Sequence, residues 1–164
     1  NCTSTLDLKA GDEIICPSWT YIATAEAAAI LGIKVVFCDI NLDTFNIDTE
    51  QIESKITEKT KAILPVHLFG LSADMDPIVK LAEKYNLLIV EDAACGFGSK
   101  YNGNHVGTFG GTGCFSFHPR KAITTGEGGM ISTNNPTHRD KCKSLRNLCF
   151  GKKNSPLGFA GDLY

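Results

Sequence analysis

Leu87-Leu88-Ile89-Val90-Glu91-Asp92 sets four apolar residues on consecutive positions directly before two carboxylates. A strand with one face in water alternates apolar and polar residues, so an unbroken apolar run predicts a strand covered on both faces, as in a parallel sheet. Working outward from it, short β-branched or aromatic runs predict strands at Glu13–Cys16, Lys34–Asp39, Ala62–His67, Gly113–Phe117 and Gly129–Thr133. Helical stretches separate them. The alternation predicts an α/β fold of three layers, a mostly parallel sheet with helices on both faces. Too few strand–helix units are present for a barrel, so the sheet is expected to be open.

The helix expectations rest on their end signals. Ser18–Leu31 is rich in alanine and is followed by Gly32. Thr49–Ile56 has Asp48 as its expected N-cap, and Pro136–Leu145 has Asn135. Asp76 before Pro77 reads as an N-cap and first helical position for Asp76–Tyr85, and Asn86 suits the end of that helix.

Composition narrows the function classes. A chain of 164 residues with a formal net charge of −2 and interleaved acids and bases lacks the clustered Lys and Arg of a nucleic-acid binder. No run approaches the roughly 20 mostly apolar residues of a membrane span, and no basic start precedes an apolar run. A cytoplasmic protein with no nucleic-acid or membrane partner is therefore expected. The seven cysteines are odd in number and show no Cys-x-x-Cys spacing, which predicts free thiols and no metal site. His67, His105 and His138 lack metal-ligand spacing and are assigned no chemistry.

Open α/β sheets collect ligand groups at the carboxyl ends of their strands. Asp92 stands at one such end, and Ser116 to Lys121 leaves another. The second lies within Gly107-Thr-Phe-Gly-Gly-Thr-Gly-Cys-Phe-Ser-Phe-His-Pro-Arg-Lys-Ala-Ile-Thr-Thr-Gly-Glu-Gly-Gly129. Glycines this dense permit close backbone approach to a ligand, although an ordinary Gly-rich connection reads the same way. Neither a phosphate-loop nor a dinucleotide fingerprint fits the segment.

Ser116-Phe117-His118-Pro119-Arg120-Lys121, followed by Thr124-Thr125-Gly126-Glu127-Gly128-Gly129, closely resembles the cofactor-lysine motif of the DegT/DnrJ/EryC1/StrS family of sugar aminotransferases. Further blocks agree in order: Gly11-Asp12-Glu13 leading to Pro17-Ser18-Trp19-Thr20-Tyr21-Ile22-Ala23-Thr24, then Pro65-Val66-His67-Leu68-Phe69-Gly70, then Glu91-Asp92-Ala93-Ala94. The resemblance covers nearly everything from Gly11 to Phe150.

It implies a fold type I aminotransferase that uses pyridoxal 5'-phosphate and moves an amino group, with glutamate as donor, to a nucleotide-linked keto-deoxy-sugar. Lys121 is implied to carry the cofactor as a Schiff base and, once freed, to shuttle protons. Asp92 matches the partner of the pyridine nitrogen; on its own, an Asp after a strand also reads as a cap or turn residue. Asn1-Cys2-Thr3-Ser4-Thr5-Leu6 resembles the family's phosphate loop, which points to Thr3 and Ser4, with Cys2 in place of a glycine. Ser116 matches a serine that also reaches the phosphate. Tyr21 aligns with the aromatic that stacks on the ring, with Trp19 as fallback and core packing as the alternative for both. Cys95 stands where many members have Gln, His or Glu beside the phenolic oxygen, which suggests a subgroup nearer the perosamine-type enzymes. His118 and Arg120 flank the lysine, with substrate contact and an exposed loop role equally open.

Family members are far longer than this chain. By that comparison residues 1–151 are expected to be a partial cofactor-binding large domain, 152–164 have no assigned counterpart, and the small C-terminal domain is absent. The chain alone is accordingly expected not to be a competent enzyme, and a homodimer is implied for the complete one. The rival readings are another relative of the same fold type, such as a desulfurase, and a noncatalytic module that keeps the fold for binding or assembly.

Overall fold

A computed structural model describes residues 6–146 of the chain. In chain order the elements are β1 (Glu13–Pro17), α1 (Ile22–Ala29), β2 (Lys34–Cys38), α2 (Thr49–Ile52), β3 (Thr60–Ile63), α3 (Met75–Tyr85), β4 (Leu88–Asp92), β5 (Lys100–Tyr101), β6 (Asn104–His105), β7 (Thr112–Ser116), β8 (Gly129–Ser132) and α4 (Pro136–Arg146). Six of the strands form one sheet in the order β2-β1-β3-β4-β7-β8. Every pairing in it is parallel except β7 with β8, which run antiparallel.

Consecutive strand residues face opposite layers, and the core shows it directly. Ile14, Ala62, Leu64 and Val90 pack on one side with Ala28 of α1 and Ile33. Their sequence neighbours Ile15, Ile63 and Ile89 pack on the other with Ile52 of α2 and with Met75 and Ile78 of α3. The apolar runs therefore feed two separate cores, and the expected three layers are present. Among the described residues, no helix is long and apolar enough to cross a membrane.

Helices α1, α2 and α3 depart from the sequence expectation. The backbone continues extended past β1, Ser18 N–H bonding the Cys38 carbonyl and Tyr21 keeping an extended conformation, so α1 begins at Ile22 rather than Ser18. Helix α2 tightens after Ile52 into a 3-10 turn over Glu53–Lys55. Helix α3 takes Asp74 as its N-cap position, with Asp76 inside the first turn. The Asp74 carboxylate does not cap, because it accepts the Tyr101 hydroxyl at 2.5 Å instead. Other end signals behave as expected. Asp48 accepts the Glu50 N–H at 3.1 Å, Asn135 accepts that of Thr137 at 2.9 Å, and Asn86 is left-handed at φ 52°.

The β5–β6 hairpin has no counterpart in the sequence expectation. Its turn is Asn102-Gly103, both at positive φ (47° and 84°), the pairing that two-residue hairpin turns favour. Among the described cysteines, Cys16, Cys38, Cys95 and Cys142 are free, but Cys114 on β7 is disulfide-bonded. That corrects the expectation of free thiols throughout.

The Gly-rich segment before β7 lies flat against β4. Gly111 N–H bonds the Ile89 carbonyl at 3.0 Å, and a Cβ at Gly110 would sit 2.5 Å from that same oxygen. Gly107, at φ +82°, has the Phe115 ring where a Cβ would be, again 2.5 Å away. Gly110→Ala should therefore cost about 1–3 kcal/mol through forced backbone movement, read as a lower urea midpoint. Gly111→Ala, whose Cβ would meet nothing closer than 3.6 Å, should cost distinctly less.

Candidate functional site

Asp92 ends β4, and Lys121 follows the end of β7, the strand paired to β4 in the register Asp92↔Cys114. Parallel pairing sends both carboxyl ends to one edge of the sheet. An open cleft of about 1430 Å³ lies there, lined by residues that include Tyr21, Thr24, Asp92, Ser116, Arg120 and Lys121. Four of the expected site residues, Tyr21, Asp92, Ser116 and Lys121, thus meet in one place. Cys95 joins them through Lys121, whose Nζ is 3.2 Å from the Cys95 sulfur. Thr3 and Ser4 lie outside the described residues, as does Cys2.

Asp92 is half-buried, and both of its carboxylate oxygens are engaged. Oδ1 accepts the Ala94 N–H at 3.0 Å, the turn role common for an Asp after a strand. Oδ2 accepts the hydroxyl of Thr24 at 2.6 Å, a contact that a turn does not require. Thr24 Oγ1 is also 2.9 Å from Thr20 Oγ1; with the Thr24 proton committed to Asp92, Thr20 is the donor. Each Asp92 oxygen keeps a lone pair for a donor arriving from the cleft. Neither threonine carried a distinct expectation from the sequence: Thr20 precedes α1 and Thr24 lies in its first turn, and the fold sets their hydroxyls together.

The lysine loop is shaped locally. Ser116 Oγ accepts the His118 N–H at 3.3 Å, His118 Nδ1 accepts the Arg120 N–H at 3.2 Å, and Lys121 N–H bonds the His118 carbonyl at 2.9 Å. His118 is thereby a brace for its own turn, while Arg120 is exposed on the cleft wall. The Ser116 hydroxyl proton stays available for a ligand oxygen. Trp19 and Tyr21 are 57% and 77% exposed, so neither packs in a core, and Tyr21 is the one that lines the cleft.

This donor set suits pyridoxal phosphate: a primary amine, a carboxylate with spare acceptor capacity, a hydroxyl donor and an unpacked aromatic ring share one opening. Among the described residues, no group of three or more His, Cys, Asp or Glu stands close enough to hold a metal ion. Two residues passed over for chemistry, His67 and Glu91, are fully buried and bonded to each other at 3.2 Å beneath the same edge of the sheet.

The cysteines divide by environment. Burial pushes the Cys16 thiol up to about 12 and the Cys38 thiol up to about 11, whereas Cys95 is half-buried beside an amine. At pH 8, iodoacetamide should alkylate Cys95 and leave Cys16 and Cys38 unmodified, as read by peptide mass mapping.

Comparison with known proteins agrees with this geometry. The description "DegT/DnrJ/EryC1/StrS aminotransferase family" belongs to a family model that matches residues 2–159. The GDP-perosamine synthase of Escherichia coli O157:H7 is 50% identical over 137 residues, covering 84% of this chain and 38% of that protein. An aminotransferase from Psychrobacter cryohalolentis superimposes with a TM-score of 0.90 at 37% identity, covering 99% of this chain and 42% of that one. NtdA from Bacillus subtilis, solved with bound cofactor PMP, gives a TM-score of 0.80 at 38% identity over 87% of this chain and 32% of its own. The chain spans a little over a third of the length of the curated relatives it matches, from 36% to 38%.

Proposed function

Since the chain belongs to the DegT/DnrJ/EryC1/StrS aminotransferase family, we propose that it supplies the cofactor-binding core of a pyridoxal-phosphate-dependent aminotransferase. The amino group passes from glutamate to the keto carbon of a nucleotide-linked deoxy-sugar. The observation that carries this reading is the delivery of Lys121 and Asp92 to one cleft from adjacent parallel strands. Similarity to a GDP-perosamine synthase supports a nucleotide-linked sugar as acceptor.

Bound pyridoxal phosphate supplies an electrophilic aldehyde and a ring that accepts electrons. The chain's own groups do the rest. Lys121 would be the amine that holds the cofactor and, when free, the base placed to move a proton. Asp92 would keep the ring nitrogen of the bound cofactor protonated, and the Thr24 hydroxyl, donating to Oδ2, holds the Asp92 carboxylate in place. Ser116 would donate to the phosphate, a role that the family resemblance also gives to Thr3 and Ser4. Tyr21 would cover a face of the ring, and Cys95, beside Lys121, would join the residues that hold the cofactor. Arg120, exposed on the cleft wall, is suited to pair with a donor carboxylate or a diphosphate. The proposal includes a homodimer as the working form.

In the intact protein, Lys121→Ala should abolish the borohydride-reducible adduct with pyridoxal phosphate and slow amine transfer by about 10²- to 10⁴-fold. An adduct that persists on another lysine would overturn the assignment. Asp92→Asn should fold and bind cofactor yet lose most of its transfer rate with glutamate and keto-sugar; unchanged turnover would reduce Asp92 to a turn residue.

A further inference from the structure

Asp92 faces the cleft, so its predecessor on β4, Glu91, faces the opposite layer. There the Glu91 carboxylate is wholly shielded from solvent and accepts four hydrogen bonds. Oε1 takes the N–H groups of Phe109 at 2.7 Å and Gly110 at 2.8 Å. Oε2 takes the Gly107 N–H at 2.5 Å and His67 Nε2 at 3.2 Å. His67 is equally buried, and its Nδ1 accepts the Ala73 N–H at 3.2 Å. A ring nitrogen that accepts from an amide carries no proton, so the His67 proton is on Nε2 and the imidazole is neutral. The negative charge of Glu91 is therefore met by three backbone amides and one oriented ring.

These donors come from two places that must hold station for the site to exist. Gly107, Phe109 and Gly110 belong to the segment that runs into β7, whose end carries Ser116 and leads to Lys121. His67 follows β3 and pins the end of β4, its N–H bonding the Asp92 carbonyl at 2.9 Å. Glu91 is thus the point at which the strand bearing Asp92 is fastened to the strand bearing the lysine loop. We infer that Glu91, oriented by His67, is a positioning residue that sets the Asp92 carboxylate relative to Lys121. This rests on the function proposed above and adds to it two residues that never touch the cofactor.

The test uses the intact protein loaded with pyridoxal phosphate, comparing the parent with Glu91→Gln, His67→Leu, His67→Gln and, as reference, Asp92→Asn. Glu91→Gln keeps the volume but turns an NH2 toward backbone donors. His67→Leu removes the donor to Glu91, and His67→Gln restores one. Glu91→Gln and His67→Leu should each lower kcat by about 10- to 100-fold, the usual size of effect for a group that orients a ligand-contacting residue, with KM for glutamate nearly unchanged. Both should also move the pH midpoint of the cofactor's visible absorption band, which a loss of fold stability alone would not do, and His67→Gln should lie close to the parent. Folded variants with parental kcat and midpoint would overturn the inference. So would a failure of both Glu91→Gln and His67→Leu to fold, since the pair would then serve folding alone. If Asp92→Asn itself leaves kcat and the midpoint at parental values, it is the proposed function that fails.

Discussion

The parallel pairing of β4 with β7 governs everything at the cleft. Val90↔Thr112, Glu91↔Gly113 and Asp92↔Cys114 set the register, and with it the distance over which the ends of two strands can share a ligand. A one-residue slip would exchange the two faces of β4, burying Asp92 and pointing Glu91 at the cleft. Three devices act against such a slip. Val90 and Ile89 are committed to different cores, Glu91 has all its acceptor positions filled by particular donors, and position 110, against the Ile89 carbonyl, has no room for a Cβ.

Much of this was legible in the residue pattern. The continuous apolar runs at β1, β3 and β4 announced a sheet covered on both sides, and Asp48, Asn86 and Asn135 marked helix ends that the structure confirms. The positions that went unread share a physical cause: each depends on a partner distant in sequence. Asp74 serves Tyr101 rather than its own helix, so the boundary of α3 could not be taken from local capping signals. Thr24 looks like an ordinary helix residue until Asp92, 68 positions away, is brought against it. His67 and Glu91 lack the spacing of a metal site, and only the fold reveals them as a pair. The Asn102-Gly103 turn, by contrast, was a local signal that could have been used.

The glycines between 107 and 113 show how one pattern can have two explanations. Their density suggested room for a ligand, yet Gly107 makes way for the Phe115 ring and Gly110 for the Ile89 carbonyl. The part of the motif that lines the cleft begins at Cys114, after these glycines. The segment's want of side chains is a condition for packing β7 against β4, and the site benefits at second hand.

That separation has a bearing on how such a protein could be re-engineered. The framework residues, from Glu91 and His67 to the glycines, are each answerable to several neighbours at once, so altering them disturbs the scaffold before it alters any preference. Glu26 and Arg120 are exposed on the cleft wall, and neither takes part in the Glu91 brace. Under the proposed function, a change of acceptor is best attempted at that rim, where a new side chain can meet a new substrate without asking the sheet to move.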